Sequence, residues 1–104
     1  MGQYDPDIEE GVSSETDQEV AEPSMYRVML LNDDYTTMEF VVEVLVYVFQ
    51  KSSEEAMQIM LNVHRSGVGV CGIYPYEIAE TKVDTVETLA RENGFPLKCI
   101  MERE

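Results

Sequence analysis

Apolar residues recur along residues 26–101 with two different spacings. From residue 26 they alternate, with Tyr26, Val28 and Leu30 on one face, which is typical of a strand. Further on, the spacing changes to the three-to-four-residue period of a helix. The predicted elements are a strand over 26–31, helices beginning near Thr37 and after Ser52, a strand over 68–73, a helix from Pro75 and a strand over 97–101.

Two helix starts carry a side-chain signal. Thr36 with Glu39, and Ser52 with Glu55, have the spacing of a capping box, in which each side chain bonds a free backbone amide. Lys51 is expected in the last turn of the first helix, where a cation suits the negative end of the helix dipole.

The order βααβαβ, with short connections, favours an α+β fold. We expect a compact sandwich in which a three-stranded antiparallel sheet is covered on one side by three helices. Residues 24–104 are expected to form this domain. Residues 1–23 are expected to be a flexible acidic extension, because the first 24 residues carry eight acidic residues, no Lys or Arg and only scattered apolar residues.

Charge excludes several classes of function. The chain has 21 Asp and Glu against 7 Lys and Arg, a formal charge of −14, which argues against binding nucleic acid or an anionic membrane. No apolar run approaches a spanning helix, and no export signal is evident, so a cytoplasmic location is expected. Cys71 and Cys99 lack metal or redox spacing and are expected to be reduced, small apolar residues.

A short polar run and a single histidine are candidates for binding chemistry. Asn32, Asp33 and Asp34 lie between the first strand and the first helix, where they predict either an Asx turn or a site for a cation. His64 lies near the end of the second helix, where the dipole favours it. A neutral imidazole there can accept a hydrogen bond.

Catalytic and metal chemistry have little support. No nucleophile elbow, phosphate loop or zinc signature occurs, and no calcium-loop spacing surrounds residues 32–34. A metal enzyme using Asp33, Asp34 and His64 is disfavoured by the number and spacing of these ligands. Methionines on the first two helices, Met57 among them, indicate core filling or a surface that adapts to several apolar guests. We expect no enzyme activity, no cofactor and no metal.

Five ordered segments together resemble the ClpS family, the adaptors of the bacterial ClpAP protease. They are YRVMLLNDDYTTMEFVV (26–42), MLNVHRSG (60–67), VCG (70–72), AETKV (79–83) and AREN (90–93). The resemblance spans residues 24–103 in the same order. Thr37 departs from it, since family members usually have proline there, but either residue is tolerated near a helix start.

The resemblance implies an adaptor that binds substrates by an N-terminal Leu, Phe, Tyr or Trp, known as an N-degron. It implies that Asn32, Asp33 and His64 accept hydrogen bonds from the free α-amino group, with Asp34 adding negative potential or bracing the loop. The hydrophobic pocket that it implies for the side chain consists of Thr36, Met38, Val41, Met60, Val63 and Leu97. Met38 is implied to be a gatekeeper that crowds β-branched residues.

The resemblance also implies a partner, the ClpA unfoldase, to which the substrates are delivered. Contacts with it are implied at Glu77 and Lys82 on the third helix, and the acidic extension is implied to engage it during delivery. One alternative keeps the fold but not the function: a ribosomal-stalk-like acidic protein-interaction domain without N-degron recognition. That alternative does not require Asn32, Asp33 and His64 to converge.

Overall fold

The computed structural model describes residues 22–104 and contains three strands and three helices in the predicted order. In chain order these are β1 (Met25–Leu31), α1 (Met38–Tyr47), α2 (Ser53–Ser66), β2 (Val68–Pro75), α3 (Tyr76–Glu92) and β3 (Lys98–Arg103). The predicted α+β fold is confirmed. The predicted acidic extension, residues 1–23, lies outside the described residues apart from its last two.

The three strands form one antiparallel sheet in the order β2-β1-β3, so that β1 is central. Leu30 lies opposite Gly69 of β2 and Cys99 of β3, and all three are buried on the face that the helices cover. On the opposite face of β2, Val68 and Val70 remain exposed. The helices therefore cover one face of the sheet, as predicted.

Gly69 allows α2 to approach β2 closely. A Cβ atom added at Gly69 would lie 2.6 Å from Cγ2 of Val63 and 3.1 Å from the carbonyl oxygen of Ile59. No side chain fits between the helix and the strand at this point. The close contact fixes the position of the last turns of α2 over the sheet.

The N-cap of α1 is Thr37, and the prediction of Thr36 was wrong by one residue. The Thr37 hydroxyl oxygen accepts a hydrogen bond from the amide N of Phe40 at 3.1 Å. The Thr36 hydroxyl instead donates to the Asp33 carboxylate. Ser52 caps α2 as predicted.

The predicted place of Lys51 in the last turn of α1 was also wrong. α1 ends at Tyr47, and no basic residue lies in its last turn. The chain turns at Gln50, whose φ of 54° is in the left-handed region, and the amide N of Lys51 donates to the carbonyl of Leu45 at 3.0 Å. Lys51 therefore lies beyond the helix.

Lys82 of α3 supplies the cation that the end of α1 lacks. Its Nζ donates to the carbonyl oxygen of Val48 at 2.7 Å and to Oε1 of Gln50 at 3.5 Å. The ammonium also lies 5.8 Å from the ring centroid of Phe49 and 5.4 Å from that of Tyr74. It thus satisfies a free carbonyl at the negative end of the helix while lying against two aromatic rings.

Cys71 and Cys99 are both buried and free, as the sequence predicted. Burial raises the pKa of the Cys71 thiol to about 12 and also raises the pKa of Cys99. Because the thiolate is the reactive form, both side chains act as small apolar residues.

The contacts of Lys82 lead to a prediction about stability. We expect Lys82→Met to lower the free energy of unfolding by about 1–2 kcal/mol, since it removes a charged hydrogen bond and a cation–π contact while keeping the aliphatic stem. Urea denaturation measures the loss. Lys98→Met, at an exposed lysine of β3, is the matched control and should change stability by less than about 0.5 kcal/mol. Equal losses in the two variants would contradict a specific role for Lys82.

Candidate functional site

The loop between β1 and α1 is organised by the carboxylate of Asp33. Oδ1 accepts hydrogen bonds from the amide N of Tyr35 at 2.8 Å and of Thr36 at 2.6 Å, and Oδ2 accepts from Oγ1 of Thr36 at 2.7 Å. Burial by itself would raise the pKa of Asp33, but the bonds from Thr36 and Tyr35 outweigh it and hold this pKa below its ordinary value. The predicted Asx turn is therefore present, and its carboxylate remains an anion into the acid range.

A backbone hydrogen bond joins this loop to the end of α2. The amide N of Asn32 donates to the carbonyl of Gly67 at 3.0 Å. Gly67 ends α2 in the left-handed conformation, with φ of 87°, and its own amide donates to the carbonyl of Val63 at 3.0 Å. β2 begins at the next residue, where Val68 pairs with Leu31. The last turn of α2 and the loop therefore lie side by side.

The loop, α1 and α2 together enclose a cavity of about 240 Å³. Its lining consists of Asn32, Asp33, Asp34, Thr36, Met38, Val41, Met60, Val63 and His64. Nine of the ten residues predicted to bind an amine or an apolar side chain meet here. The polar acceptors come from the loop and the end of α2, and the apolar side chains come from the facing sides of the two helices.

Leu97 is the predicted residue that the structure does not bring to this cavity. It is 4 % exposed, precedes β3 and lines a separate cleft beside α3. It belongs to the same buried cluster as Val41 and Met60. Leu97 therefore packs in the core that supports the cavity, and its predicted place on the wall is not supported.

The cavity has a polar rim and a buried apolar wall. Asn32, Asp34 and His64 are exposed, whereas Val63 is only 3 % exposed. Met38 is an apolar residue of the lining that is exposed, at 46 %. The volume is below the range of about 300–1,000 Å³ typical of small-molecule sites and suits one large side chain. Chemically, the arrangement fits a ligand with a cation at one end and an apolar group at the other.

Residues 22–104 contain neither a metal cluster nor a spanning helix. No group of three His, Cys, Asp or Glu side chains in this part of the chain is arranged to hold a metal ion. In the same residues, no helix has both the length and the apolar character needed to cross a membrane. The Asp33 oxygens already accept three hydrogen bonds within the loop.

Glu77 and Lys82, for which a partner contact was predicted, do not line the cavity. Glu77 is exposed in the first turn of α3, between Tyr76 and Ile78, which are each 49 % exposed. Lys82 is half-buried because its ammonium is engaged at the end of α1. The two residues therefore differ in how freely a partner can reach them.

The sequence did not predict a second hollow beside the cavity. We call it the α1–α2 groove; it is lined by Met38, Glu39, Val42, Glu43, Met57 and Met60. Two of these residues, Met38 and Met60, also line the cavity. The sequence offered one signal for this groove, methionines at helical spacing on both helices. The same spacing is typical of methionines that fill a core, so the pattern alone could not distinguish the two.

A family model and several curated relatives match this chain. The model described as "ATP-dependent Clp protease adaptor protein ClpS" matches residues 21–100. The ClpS adapter protein of Desulforapulum autotrophicum is 57% identical over 104 residues, which is the whole of both chains. That of Wolinella succinogenes is 60% identical over 83 residues, which covers 80% of this chain and 81% of the relative.

A solved structure is similar in both fold and sequence. It is Agrobacterium tumefaciens ClpS2 bound to L-phenylalaninamide, with 44% sequence identity and a TM-score of 0.77. The match covers 80% of this chain and all of the ClpS2 chain. The extent of these matches sets aside the ribosomal-stalk-like alternative. The chain belongs to the ClpS family of ATP-dependent Clp protease adaptor proteins.

Proposed function

We propose that this adaptor recognises proteins by an N-terminal Leu, Phe, Tyr or Trp and delivers them to the ClpA unfoldase of the ClpAP protease. The observation that supports the proposal is the cavity itself, in which hydrogen-bond acceptors and apolar walls adjoin within about 240 Å³. A single N-terminal amino acid presents both a cation, its α-amino group, and an apolar side chain next to it. An internal residue presents only the side chain.

The polar rim suits the free α-amino group. This group has a reference pKa of about 7.7–8.0, so it is mostly cationic at neutral pH. Asn32 and His64 offer neutral acceptors, and Asp34 offers a negative charge at the same rim. Asp33 already binds the loop, and its proposed contribution is its charge and the shape of the turn. Each charge-assisted hydrogen bond contributes roughly 1.5–3 kcal/mol before desolvation is subtracted.

The apolar wall suits the side chain of the same residue. Val41, Met60 and Val63 are buried and supply a wall from which water is largely excluded, while Met38 stands at the entrance. Burying a Leu or Phe side chain contributes about 1.5–3 kcal/mol. Association costs about 4–15 kcal/mol, so neither half suffices alone and both are needed.

The ligand of the ClpS2 structure supports this assignment. L-phenylalaninamide has a free α-amine, an aromatic side chain and an amidated carboxyl group, which is the chemistry of an N-terminal phenylalanine in a chain. The residues that would hold the corresponding groups here line one cavity.

Delivery is the second part of the proposal. Glu77 is exposed on α3, away from the cavity lining, and is available for ClpA while a substrate is bound. Lys82 is proposed as a weaker contact, since its ammonium also stabilises the end of α1. The acidic extension, residues 1–23, is proposed to engage ClpA. A cytoplasmic location suits the two free thiols, because thiols stay reduced there.

Blocking the amine is the direct test of the proposed function. In calorimetry, a peptide beginning with Leu should bind at micromolar affinity or better, and its N-acetylated twin should bind at least about tenfold more weakly, because acetylation removes the cation. In a degradation assay with ClpAP, only the free-amine substrate should be accelerated by this chain. Equal affinity of the two peptides would refute recognition of an N-terminal residue.

His64 should make binding depend on pH. A protonated imidazole cannot accept a hydrogen bond from an ammonium group and repels it, so protonation of His64 on acidification should weaken binding of the Leu peptide. Asp33 is not expected to cause this loss, because its hydrogen bonds with Thr36 and Tyr35 hold its pKa below the ordinary value of a carboxyl group. His64→Asn, which keeps an acceptor but does not titrate, should flatten the profile. An unchanged pH profile in His64→Asn would remove His64 from the amine site.

Met38 should exclude β-branched residues. Its side chain lines the entrance of the cavity, where an extra methyl group at Cβ of the ligand would meet it. We expect Met38→Ala to bring the affinity for Ile- and Val-initiated peptides to within about tenfold of that for Leu. Peptide titrations measure this ratio, and Met57→Ala, outside the cavity lining, is the control. Continued exclusion of Ile by Met38→Ala would contradict the gatekeeper role.

A further inference from the structure

The sulfur-bearing side chains of this protein differ sharply in their exposure to solvent. Cys71 and Cys99 are buried, and so is Met60. Met38 and Met57 are 46 % and 49 % exposed, and they are the exposed sulfur-bearing residues in the part of the chain that the structure describes. An oxidant in solution therefore reaches these two thioethers most readily.

The two thiols do not compete for that oxidant. A thiol reacts with a peroxide as its thiolate, and burial raises the pKa of Cys71 to about 12 and also raises the pKa of Cys99. Almost no thiolate is therefore present near neutral pH. A thioether needs no deprotonation, because its sulfur lone pair is available at any pH, and it is oxidised to a sulfoxide. This chemistry favours methionine over cysteine as the site of oxidation.

Met38 and Met57 differ in their surroundings. Met38 lines the cavity together with the buried side chains of Val41 and Met60. Met57 lines the α1–α2 groove and does not line the cavity. The two methionines therefore have similar exposure, but only Met38 lies in the site proposed for the N-terminal residue.

We infer that Met38 is a reversible oxidation site, at which hydrogen peroxide converts the thioether to a sulfoxide and thereby weakens the binding of an N-terminal residue. The inference rests on the proposed function, because it assumes that the N-terminal residue occupies the cavity.

The oxidation is a transfer of one oxygen atom. The Met38 sulfur attacks one oxygen of the peroxide, so an S–O bond forms as the O–O bond breaks. Sulfur loses two electrons and the peroxide gains them; the released hydroxide takes the proton from the transferred oxygen and leaves as water. A thiol-dependent sulfoxide reductase reverses the change, since two of its thiols become a disulfide and the oxygen leaves as water.

The sulfoxide weakens binding because its oxygen must lose water. A sulfoxide is polar and accepts hydrogen bonds, whereas the thioether is an apolar part of the lining. The apolar side chains of Val41, Met60 and Val63 offer no donor in its place. The hydroxyl of Thr36 already donates to Asp33. A ligand side chain that covers the sulfoxide against this wall therefore removes its water without replacing it, which costs binding free energy.

Protection by a bound peptide tests the position of Met38. The full chain is treated with hydrogen peroxide, and mass spectrometry locates each added oxygen. Met38 and Met57 should be oxidised at similar rates, and both faster than Met60. A saturating Leu-initiated peptide should slow the oxidation of Met38 at least about fivefold, because the unoccupied fraction falls as the site fills, and should leave Met57 unchanged. The N-acetylated twin at the same concentration should protect Met38 much less.

Affinity measurements on substituted chains test the consequence. Each protein is compared by calorimetry before and after peroxide, at a dose that leaves Met60 unmodified and the circular dichroism spectrum unchanged. Oxidation should weaken binding of the Leu peptide about fivefold or more in the unsubstituted chain and in Met57→Leu. Met38→Leu has no thioether at the entrance, so its affinity should be the same before and after treatment. A methionine sulfoxide reductase should restore the affinity of the oxidised unsubstituted chain.

The outcomes distinguish the oxidation site from the proposed function. The site is overturned if Met38 stays reduced while Met57 is oxidised, or if the free-amine peptide does not protect Met38. It is also overturned if the oxidised chain binds the Leu peptide unchanged or more tightly, if Met38→Leu loses as much affinity as the unsubstituted chain, or if Met57→Leu abolishes the loss. The proposed function stands in each of these cases as long as the untreated chain prefers the free amine. Equal binding of the acetylated and free peptides to the untreated chain is the result in which the proposed function itself fails.

Discussion

The junction between the end of β1 and the last turn of α2 determines the site. One backbone hydrogen bond, from Asn32 to the carbonyl of Gly67, joins them at 3.0 Å. The left-handed conformation of Gly67 lets the chain leave α2 and pair at once with β1 as β2. Because β2 pairs with the central strand from its first residue, the last turn of α2 is anchored beside the loop. His64 therefore lines the same cavity as the loop residues Asn32 and Asp34.

The polar loop is also held in shape by hydrogen bonds of its own. Asp33 accepts three hydrogen bonds from the two residues that follow Asp34, and these bonds set the shape of the turn before any ligand arrives. A preorganised rim loses little conformational entropy on binding, so more of the interaction energy remains available for affinity. In this arrangement Asp33 shapes the rim, and Asn32 and His64 line the same cavity and are the acceptors that we propose for a ligand.

The apolar part of the site follows from how closely α1 and α2 pack. Gly69 admits Val63 against the sheet, which draws α2 inward and leaves its other side facing α1. Met60 then lies where the two helices meet, and with Met38 it divides the space into the cavity and the groove. A boundary made of two flexible side chains can select against a shape at Cβ while accepting several side chains of different size. The proposed selectivity and tolerance of this site would therefore have a common physical origin.

The sequence by itself determined the six elements, their order and all nine residues that line the cavity, because hydrophobic period and short motifs are local or are carried by family resemblance. The tertiary structure decided the rest. Thr37 caps α1, whereas the Thr36 hydroxyl donates to the carboxylate of Asp33. The cation at the end of α1 comes from α3, over 30 residues away. Leu97 lies behind the cavity, and the α1–α2 groove exists only once two helices are packed together. Each of these outcomes depends on which side chains compete for one backbone group or one space, and that competition is settled only when the chain is folded.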